Sequence, residues 1–548
     1  MTDILRRRYV GVFGVALALL PALLYLVLAA RCVSNIPRGD DYLAVIQYLC
    51  DWVETPSVSA RFSSLFAQYF SHRIVVTKVI LAAQLFAIGS CDFRWLMAFG
   101  FISWLGLAVW ITLRTPAARV APWFALPVAL LLMQPQGYTN LHVGMQSPQN
   151  LGIVLIAFAA LAGLLNNARN RFAGGLVLGG IAPFVSANGL LVLPVAAISL
   201  LVLRRWRRAA IAAAATLLFW AAYFSGFVAD PTPFRPVDFL LYAAVMTGGP
   251  FELARTPLPV IAVLGTLLLL LAAIFLGLRR SWKTLPLHTA FLLFLLMTIA
   301  LAARGRIGWD ASYMLQDRYR LYGLLVLAVG YLLILELAPP ARRRRIWLFA
   351  VPTCFAFSFF SYATYLPVMA ASARWAEATA INRQLGQAFL LPSGPGWKEP
   401  LQALARADQL GIYRFPRVLS EDDLATLRAL PVKVSPTSPR LYFTPNGAVI
   451  GNVITVGPAQ ANLPAPDFAV LTTDERRLVL PVDIWRTRLP DLVHRLSFFS
   501  ESFGLICPEE AYRPGPTAVA VHGIVRAPDG RLAVAWSAHA EVSSHSPN

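Results

Sequence analysis

Eleven long apolar segments constrain the fold of this chain more than any other feature of its sequence. They are centred near residues 20, 102, 128, 158, 179, 196, 218, 267, 293, 329 and 357. A helix that crosses the hydrocarbon core of a bilayer needs about 17–25 mainly apolar residues. With 57% hydrophobic and 14% charged residues over 548 positions, the chain is too apolar for a soluble protein. We therefore predict an α-helical polytopic membrane protein with about 11 transmembrane helices.

The distribution of basic residues predicts the orientation of these spans. Arg and Lys cluster in every second connection: residues 6–8, Arg114 and Arg119, Arg169 and Arg171, 204–208, 279–283 and 342–345. Because basic residues in short loops stay in the cytoplasm, the N-terminus is predicted to be cytoplasmic and, after an odd number of spans, the C-terminal region external. The segment from Trp375 onward carries 16 basic and 16 acidic residues, so the whole net charge of +19 precedes it. The charge thus indicates topology and argues against a nucleic-acid partner.

Two further features concern the start of the chain. Its first apolar stretch, residues 10–30, is longer than the core of a cleavable signal peptide, so we predict that it is retained as the first span. Of the five cysteines, Cys32 and Cys50 share the external loop that follows and could form a disulfide in an oxidising compartment. The other three show no spacing that indicates a metal site.

The chain changes character towards its C-terminal end. We divide it into a transmembrane domain, residues 1–373, and an external domain, residues 374–548, which begins with an amphipathic helical segment. Short β-rich runs follow, and Asn446-Gly447 and Asp529-Gly530 each lie between apolar runs. Because Asn-Gly and Asp-Gly pairs favour tight hairpins, the external domain is predicted to be β-rich and sandwich-like.

The first external loop, residues 31–91, is where we expect the chemistry. It opens with an acid doublet, Asp40 and Asp41, and later contains His72 and Arg73. Its amphipathic stretches predict juxtamembrane helices in the membrane interface. Two adjacent carboxylates perturb each other's titration, and a carboxylate can act as a general base. The structural alternative is that Asp40 only caps the helix that follows it.

A cluster of arginines in the last large external loop is the second candidate. Arg304, Arg306, Arg318 and Arg320 lie there among aromatic residues. Arginine binds phosphate bidentately and does so better than lysine. Because basic residues outside run against the positive-inside trend, topology does not explain them. The structural alternatives are interfacial anchoring beside lipid headgroups and ion pairing with the acids of the same loop.

These segments together resemble a known family. The tetrapeptide Gly-Asp-Asp-Tyr at 39–42, His-Arg-Ile at 72–74, Ser-Ala-Asn-Gly at 186–189 and the two Arg-X-Arg runs at 304–306 and 318–320 are similar to segments of the GT-C class. This class comprises integral membrane glycosyltransferases that use polyprenyl-phosphate sugars. The resemblance is to bacterial members, and the architecture matches across residues 1 to 370 or so.

The resemblance implies an inverting glycosyltransferase in a bacterial inner (cytoplasmic) membrane, acting at its external, periplasmic face. The donor would be a polyprenyl-phosphate sugar, and the acceptor a cell-envelope glycan or lipid such as lipopolysaccharide. A carrier-loading glycosyltransferase and a flippase would act upstream. Either Asp40 or Asp41 would be the general base. Some relatives hold a divalent cation, and if this chain does (Mg, Mn or Ca), the same two acids would be its ligands.

The remaining residues are assigned to the donor and to the substrate pocket. Predicted ligands of the donor phosphate are Arg304, Arg306, Arg318, Arg320, His72 and Arg73. Predicted pocket residues are Tyr42, Tyr319, His142 and Asn188. An uncharged polar stretch, residues 138–150, is a weaker candidate for a sugar-binding cavity, since polar groups at this depth need partners or water.

Other functions remain as alternatives. A secondary transporter or lipid flippase would show broken-helix repeats and ionisable residues at mid-span, and neither pattern is evident. An external-face glycan ligase or polymerase has a similar topology, but it normally carries its key residues in a larger late loop. A membrane-anchored binding protein would not need eleven spans. No Walker-type phosphate loop indicates ATP-driven transport.

Overall fold

The computed structural model describes residues 2–70, 72–228, 232–253, 256–387, 398–435, 437–445, 452–456, 463–473, 476–486, 498–507 and 519–542. The chain forms two compact units. The helical unit comprises Met1–Val33, Pro37–Ser361 and Gln402–Tyr413, and the sheet unit comprises Ser34–Ile36, Tyr362–Leu401 and Arg414–Asn548. The boundary predicted after residue 373 therefore lies 12 residues beyond the change of unit at 361.

Twenty α-helices are described. They are α1 (Thr2–Cys32), α2 (Tyr48–Glu54), α3 (Val58–Leu65), α4 (Val75–Ile88), α5 (Phe93–Leu113), α6 (Pro116–Val120), α7 (Leu126–Leu132), α8 (Thr139–His142), α9 (Ile153–Leu164), α10 (Arg169–Ile181), α11 (Val192–Val202), α12 (Trp206–Phe224), α13 (Pro236–Gly248), α14 (Leu258–Gly277), α15 (Arg279–Thr284), α16 (Pro286–Arg304), α17 (Asp317–Leu337), α18 (Pro340–Gln384), α19 (Lys398–Gln409) and α20 (Glu421–Arg428).

Seven helices among the described residues are long and apolar enough to cross a membrane. They are Gly14–Cys32, Phe93–Leu113, Ser147–Leu164, Leu258–Gly277, Pro286–Arg304, Asp317–Leu337 and Pro340–Gln384. These helices coincide with seven of the predicted segments. A multi-pass membrane protein is thereby confirmed by helix length and hydropathy.

The other four predicted spans are helical but fall short of these criteria, which corrects the count of about 11. The segments near 128 and 196 are the shorter apolar helices Pro122–Leu132 and Ala187–Val202. Those near 179 and 218 are α10, with 13 residues, and α12, which begins with Trp206-Arg207-Arg208. Sequence reasoning took each apolar run as a complete span, whereas several runs end at polar breaks inside the protein.

The polar breaks lie in short, tight turns that the surrounding helices cover. One 3₁₀ turn, Pro135–Gly137, follows α7, and another, Ala187–Leu191, precedes α11. Gln136 and Asn188, one in each turn, are buried. Irregular backbone at membrane depth is tolerated only where protein or a cavity surrounds it. The breaks therefore bring polar side chains into the interior of the helical unit.

Three helices, α2, α3 and α4, are present in residues 31–91, where juxtamembrane helices were predicted. The Lys78 ammonium on α4 donates to the carbonyls of Ser64 at 2.8 Å and Ala67 at 2.9 Å, which ties α4 to the end of α3. Cys50 on α2 is a free thiol and donates to the carbonyl of Ala403 at 3.5 Å. The disulfide considered between Cys32 and Cys50 is therefore not formed.

Helix α13 was not recognised as a helix from the sequence, and it packs tightly on α14. Gly248 on α13 and Gly265 on α14 meet at the crossing, where a Cβ on Gly265 would lie 1.8 Å from the carbonyl oxygen of Ala244. Small residues at a helix crossing allow two backbones to approach within a membrane. The pair therefore fixes α13 against the core spans.

We expect Gly265→Ala to lower the free energy of unfolding by about 1–3 kcal/mol, because the added methyl group must push the two helices apart. Gly277→Ala is the matched control on the same helix, since a Cβ there would meet nothing within 4 Å. Thermal unfolding of the two variants in the same detergent measures the difference. Equal melting temperatures would contradict the tight crossing.

The β-rich character predicted for this part of the chain is confirmed, and the sheet unit contains one eight-stranded sheet in the described residues. The strands are β1 (Arg440–Pro445), β2 (Asn452–Val456), β3 (Phe468–Thr472), β4 (Arg477–Leu480), β5 (Val482–Arg486), β6 (Phe499–Cys507), β7 (Val519–Arg526) and β8 (Leu532–Val542). Their order is β4-β3-β7-β8-β1-β2-β6-β5, and only β1 and β8 pair in parallel.

Helices cover one face of this sheet, and the other face has a core of its own. Ile381 on α18 and Leu424 on α20 pack against Val470 and Val479 of the sheet. The opposite face is lined by a separate cluster that includes Phe503 and Trp536. This second cluster brings Leu480 of β4 together with Leu505 of β6, from near opposite ends of the strand order, so the sheet curves round and encloses this core itself.

The two predicted hairpin turns have different outcomes. The turn at Asp529-Gly530 is formed, with Gly530 at φ +85° and its amide donating to the carbonyl of Ala527 at 2.8 Å. Asn446 and Gly447 lie outside the described residues, although the flanking strands β1 and β2 pair antiparallel.

Candidate functional site

Asp41 is fully buried and holds two segments of the helical unit together. Its carboxylate accepts hydrogen bonds from three backbone N–H groups, those of Met145 at 2.8 Å, Gly144 at 3.0 Å and Arg38 at 3.2 Å. It is 0% exposed. Burial raises the pKa of Asp41 to about 7, and the three amides oppose that rise. Both carboxylate oxygens therefore accept hydrogen bonds from the backbone, and Asp41 joins the segment after α1 to the segment after α8.

Asp40 differs from Asp41 in its burial and in the groups that its carboxylate meets. It is half-buried. A short π-helix, Tyr42–Gln47, follows, and its N-cap position is occupied by Asp41, whose side chain makes no capping hydrogen bond; Asp40 precedes the cap. The Asp40 carboxylate instead interacts electrostatically with the guanidinium of Arg318 and with the hydroxyl of Tyr69, which is buried without a geometric hydrogen-bond partner in the described structure. Of the two acids, Asp40 is the one that a substrate could reach.

The turn that carries Tyr69 and His72 is strained. The two residues exchange backbone hydrogen bonds, Tyr69 N–H to His72 O at 2.8 Å and His72 N–H to Tyr69 O at 2.9 Å. Phe70 between them has φ +47°, a left-handed conformation that is uncommon for bulky residues. Such strain persists only where the surrounding structure enforces it, and it is concentrated at functional sites. The turn holds both side chains towards Asp40 and the arginines.

His72 is a neutral imidazole at neutral pH. Burial lowers the pKa of His72 to about 4, and the positive charges of Arg306 and Arg318 add to the effect. Its Nδ1 atom is buried and has no hydrogen-bond partner among the described residues. His72 therefore adds a polar group to the site without adding charge.

Arg306 and Arg318 are held by aromatic residues and not by acids. The Nε of Arg306 donates to the hydroxyl of Tyr319 at 3.1 Å, and the Nη2 of Arg318 donates to the hydroxyl of Tyr313 at 2.8 Å. Both guanidinium groups also lie over aromatic rings, Arg306 over Trp309 at 5.5 Å and Arg318 over Tyr319 at 5.1 Å. Within the described part of the chain neither forms an ion pair, and Arg318 Nε is buried without a hydrogen-bond partner. Both therefore retain the capacity to bind an anion.

The other predicted phosphate ligands have structural contacts. Arg320 forms an ion pair with Glu252. Arg304 donates to the carbonyl of Thr232 at 2.8 Å. The guanidinium of Arg73 donates to three backbone carbonyls, those of Tyr223, Ser225 and Phe66. Arg320 differs from Arg306 and Arg318 because an acid pairs with its charge. Arg304 and Arg73 differ from them because their guanidinium groups donate to backbone carbonyls.

Of the four predicted pocket residues, some have structural contacts and one lies beside the available arginines. Tyr42 is packed in the interior, and the Nδ1 of buried His142 lies 3.3 Å from Nη1 of Arg38. Tyr319 lies beside the two available arginines, as described above. Asn188 donates to the hydroxyl of Tyr322 at 3.3 Å, and its Oδ1 is buried without a hydrogen-bond partner in the described structure. Tyr319 alone of the four contacts the cluster of Arg306 and Arg318 directly.

A set of buried uncharged polar side chains in residues 134–149 was given little weight in the sequence. Six of them have a buried atom with no hydrogen-bond partner among the described residues: Gln134 Oε1, Gln136 Oε1, Thr139 Oγ1, Asn140 Nδ2, Gln146 Oε1 and Gln149 Nε2. The backbone N–H of Thr139 donates to Asp317 at the start of α17, 3.3 Å away. Buried polar atoms of this kind need water or a ligand.

Two residues of the site were missed altogether. Tyr69 had no motif to mark it, and only its place three residues before His72 gave a signal. Arg38 immediately precedes the Gly-Asp-Asp run, and burial lowers its pKa to about 10 while Asp41 opposes the change. Its position beside His142 depends on a contact across 104 residues, which no local pattern reveals.

The acid doublet does not have the geometry of a two-carboxylate cation site. Asp41 has given both of its oxygens to backbone donors, so only Asp40 has oxygens to offer. No group of three or more His, Cys, Asp or Glu side chains in the described ranges is arranged to hold a metal ion. The cation ligands considered from the sequence therefore do not act as a pair.

Comparison with protein-family models, with curated proteins and with solved structures finds no match for this chain. The site combines an accessible carboxylate, a neutral imidazole, a phenol and two guanidinium groups that form no ion pair within the described residues; Arg318 lies at the very start of the candidate span Asp317–Leu337 and Arg306 just after the end of Pro286–Arg304.

Proposed function

We propose that this protein is an inverting glycosyltransferase of the GT-C type. It moves a sugar from a polyprenyl-phosphate carrier to a hydroxyl group of a cell-envelope glycan or lipid at the external face of the membrane. The observation that carries the proposal is the grouping of accessible Asp40 with Arg306 and Arg318. A base and an anion-binding pair in one cluster are what transfer from a lipid phosphate requires.

In the proposed reaction the acceptor oxygen bonds to the anomeric carbon while the bond from that carbon to the phosphate oxygen breaks. Asp40 takes the proton of the acceptor hydroxyl as general base. The polyprenyl phosphate leaves with the bonding electrons. Arg306 and Arg318 stabilise the charge that develops on it, because they are already in place before the reaction.

Asp41 and Tyr69 position the base in this mechanism. Asp41 fixes the backbone of the doublet through its three amide donors, and Tyr69 faces the Asp40 carboxylate from the strained turn. Although a pKa near 7 would suit a general base, a base must first lie within hydrogen-bond reach of the proton it takes. Asp41 is buried and its oxygens are occupied, so the role falls to Asp40.

The cellular setting follows from the charge pattern and the resemblance. The protein lies in the inner membrane of a bacterium with its N-terminus in the cytoplasm, and the cluster faces the periplasm. No nucleotide sugar is available there, so the donor arrives on a lipid. A glycosyltransferase that loads the carrier and a flippase that turns it over act before this enzyme.

Arg318→Gln is expected to raise the KM for the polyprenyl-phosphate sugar by about 10–100-fold, since a hydrogen bond to a charged group contributes about 1.5–3 kcal/mol. Arg94→Gln is the matched control, because Arg94 is an exposed arginine that pairs with Asp92. Transfer from a radiolabelled donor in isolated membranes, at matched expression, gives both constants. An unchanged KM in Arg318→Gln would remove the phosphate-binding role.

A further inference from the structure

An apolar cleft with a volume of about 660 Å³ lies among four helices of the helical unit. Its walls come from α14, α16, α17 and α18, with residues such as Leu271, Phe275, Val326, Ile334 and Phe349. All four helices are candidate membrane spans. The volume is within the range of about 300–1,000 Å³ that is usual for ligand sites.

The cleft offers almost no polar contact to an occupant. The hydroxyl of Tyr331 donates to the carbonyl of Phe124 at 3.1 Å, and that of Thr353 donates to the carbonyl of Phe349 at 2.9 Å. Both hydroxyl groups in the lining are thus satisfied by the protein. A sugar or another polar ligand would leave its hydrogen-bonding groups unpaired here, so the chemistry of the walls fits a hydrocarbon chain.

One charged residue, Arg345, is part of the lining. It is exposed, and in the described structure it makes no ion pair, whereas Arg343 of the same basic run is paired with Glu336. Arginine forms charge-assisted hydrogen bonds with phosphate groups. An amphiphile whose chain lies in the cleft would therefore meet an available cation at its head.

The cleft is separated from the glycosyltransferase site by most of the length of α17. Helix α17 begins at Asp317, and the cleft is lined by its residues from Val326 to Ile334. At 1.5 Å per residue these lie roughly 14–26 Å along the helix from its start. Arg318 is at the start of α17, and Arg345 follows its other end. The two arginines thus serve opposite membrane faces.

We propose that the cleft binds an acyl chain of an anionic phospholipid, with the phosphate of the headgroup at Arg345. The apolar walls select the chain, and the uncompensated arginine selects the negative headgroup. The donor lipid of the proposed reaction does not explain this site, because its phosphate would bind at the opposite end of α17. The proposal is independent of the glycosyltransferase activity.

Gly330 allows the cleft to be filled without disturbing the packing. It lines the cleft, and a Cβ added there would meet no atom within 4 Å. We expect Gly330→Leu to lose most of the phosphatidylglycerol that remains bound to the purified protein, as counted by native mass spectrometry. Gly174→Leu is the matched control, because Gly174 has equal space around its Cβ and lies on α10 away from the cleft.

A second variant tests the headgroup. Arg345→Gln is expected to reduce the preference for phosphatidylglycerol over phosphatidylcholine in nanodiscs by about fivefold, since one basic residue near an anionic surface contributes about 1 kcal/mol. Arg344→Gln, in the same basic run but outside the lining, serves as control. Full phospholipid retention by Gly330→Leu would overturn the proposal. So would finding polyprenyl phosphate in the cleft in place of phospholipid.

Discussion

Asp40→Asn is expected to reduce sugar transfer by about 10²–10⁴-fold, which is the usual contribution of general acid–base catalysis. The amide keeps the size of the carboxylate but cannot take the proton of the acceptor hydroxyl. Because Asp40 is half-buried and bears no backbone contact through its side chain, the fold should not depend on its charge. We therefore expect wild-type expression and an unchanged melting temperature together with the loss of transfer.

Asp51→Asn is the matched control for this experiment. Asp51 is another acid between α1 and α5, on α2, and it forms an exposed ion pair with Arg406, of a kind that contributes little to stability. Transfer from a radiolabelled polyprenyl-phosphate sugar is measured for both variants in membranes with equal amounts of protein. If Asp40→Asn transfers sugar as fast as Asp51→Asn does, Asp40 is not the base.

Asp41→Ala is expected to act on stability first. It leaves three backbone N–H groups without an acceptor, and each buried donor left unsatisfied costs about 1–3 kcal/mol. We therefore expect the free energy of unfolding to fall by about 3 kcal/mol or more. The loss would loosen the junction between the first external loop and residues Gly144 and Met145, so transfer activity would fall as a consequence.

The two acids are distinguished by the property that each variant changes: Asp40→Asn is expected to change transfer alone, and Asp41→Ala is expected to change stability. Thermal unfolding in detergent and the yield of monodisperse protein report the effect of Asp41→Ala, with Asp51→Ala as the exposed control. A fully stable but inactive Asp41→Ala protein would reverse the assignment. It would make Asp41 the residue that acts on the substrate.

Much of the architecture can be predicted from local sequence patterns. Apolar runs of full length, such as 93–113 and 258–277, became long helices, because a continuous apolar stretch has few alternatives in a bilayer. The count of spans was too high where an apolar run ends at a buried polar turn. Gln136, for instance, donates from its amide nitrogen to the carbonyl of Pro250 at 2.9 Å, a contact 114 residues away that no local pattern predicts.

Some residues of the candidate site could also be predicted from local sequence. Polar and charged residues next to apolar spans are few, so Asp40, Arg306 and Arg318 are conspicuous in the sequence. What distinguishes Arg306 from Arg320, or Asp40 from Asp41, is the tertiary partner of each. Arg320 pairs with Glu252, 68 residues away, and Asp41 binds amides more than 100 residues away. Adjacent residues of the same type thus acquire different roles through contacts that are distant in sequence.

In the sheet unit, too, contacts between distant residues could not be predicted from the sequence. Turn residues and alternating apolar runs predicted strands, and eight strands are present. They did not predict how the strands associate, because the pairing of β1 with β8 joins residues that are about 100 positions apart. The short β-rich runs and their hairpin turns suggested a small sandwich-like domain. The structure satisfies this pattern with one sheet whose end strands β4 and β5 are consecutive in the chain, and with helices such as α20 on one face.

The central claim is that Asp40 and the guanidinium groups of Arg306 and Arg318 act on one lipid-linked substrate. The most direct measurement is a cryo-electron microscopy structure of the protein in nanodiscs with a bound polyprenyl-phosphate sugar. We expect the phosphate within hydrogen-bond distance of Arg306 and Arg318, and the sugar between that phosphate and the Asp40 carboxylate. A donor whose phosphate binds elsewhere, with Asp40 facing no part of the sugar, would contradict the account.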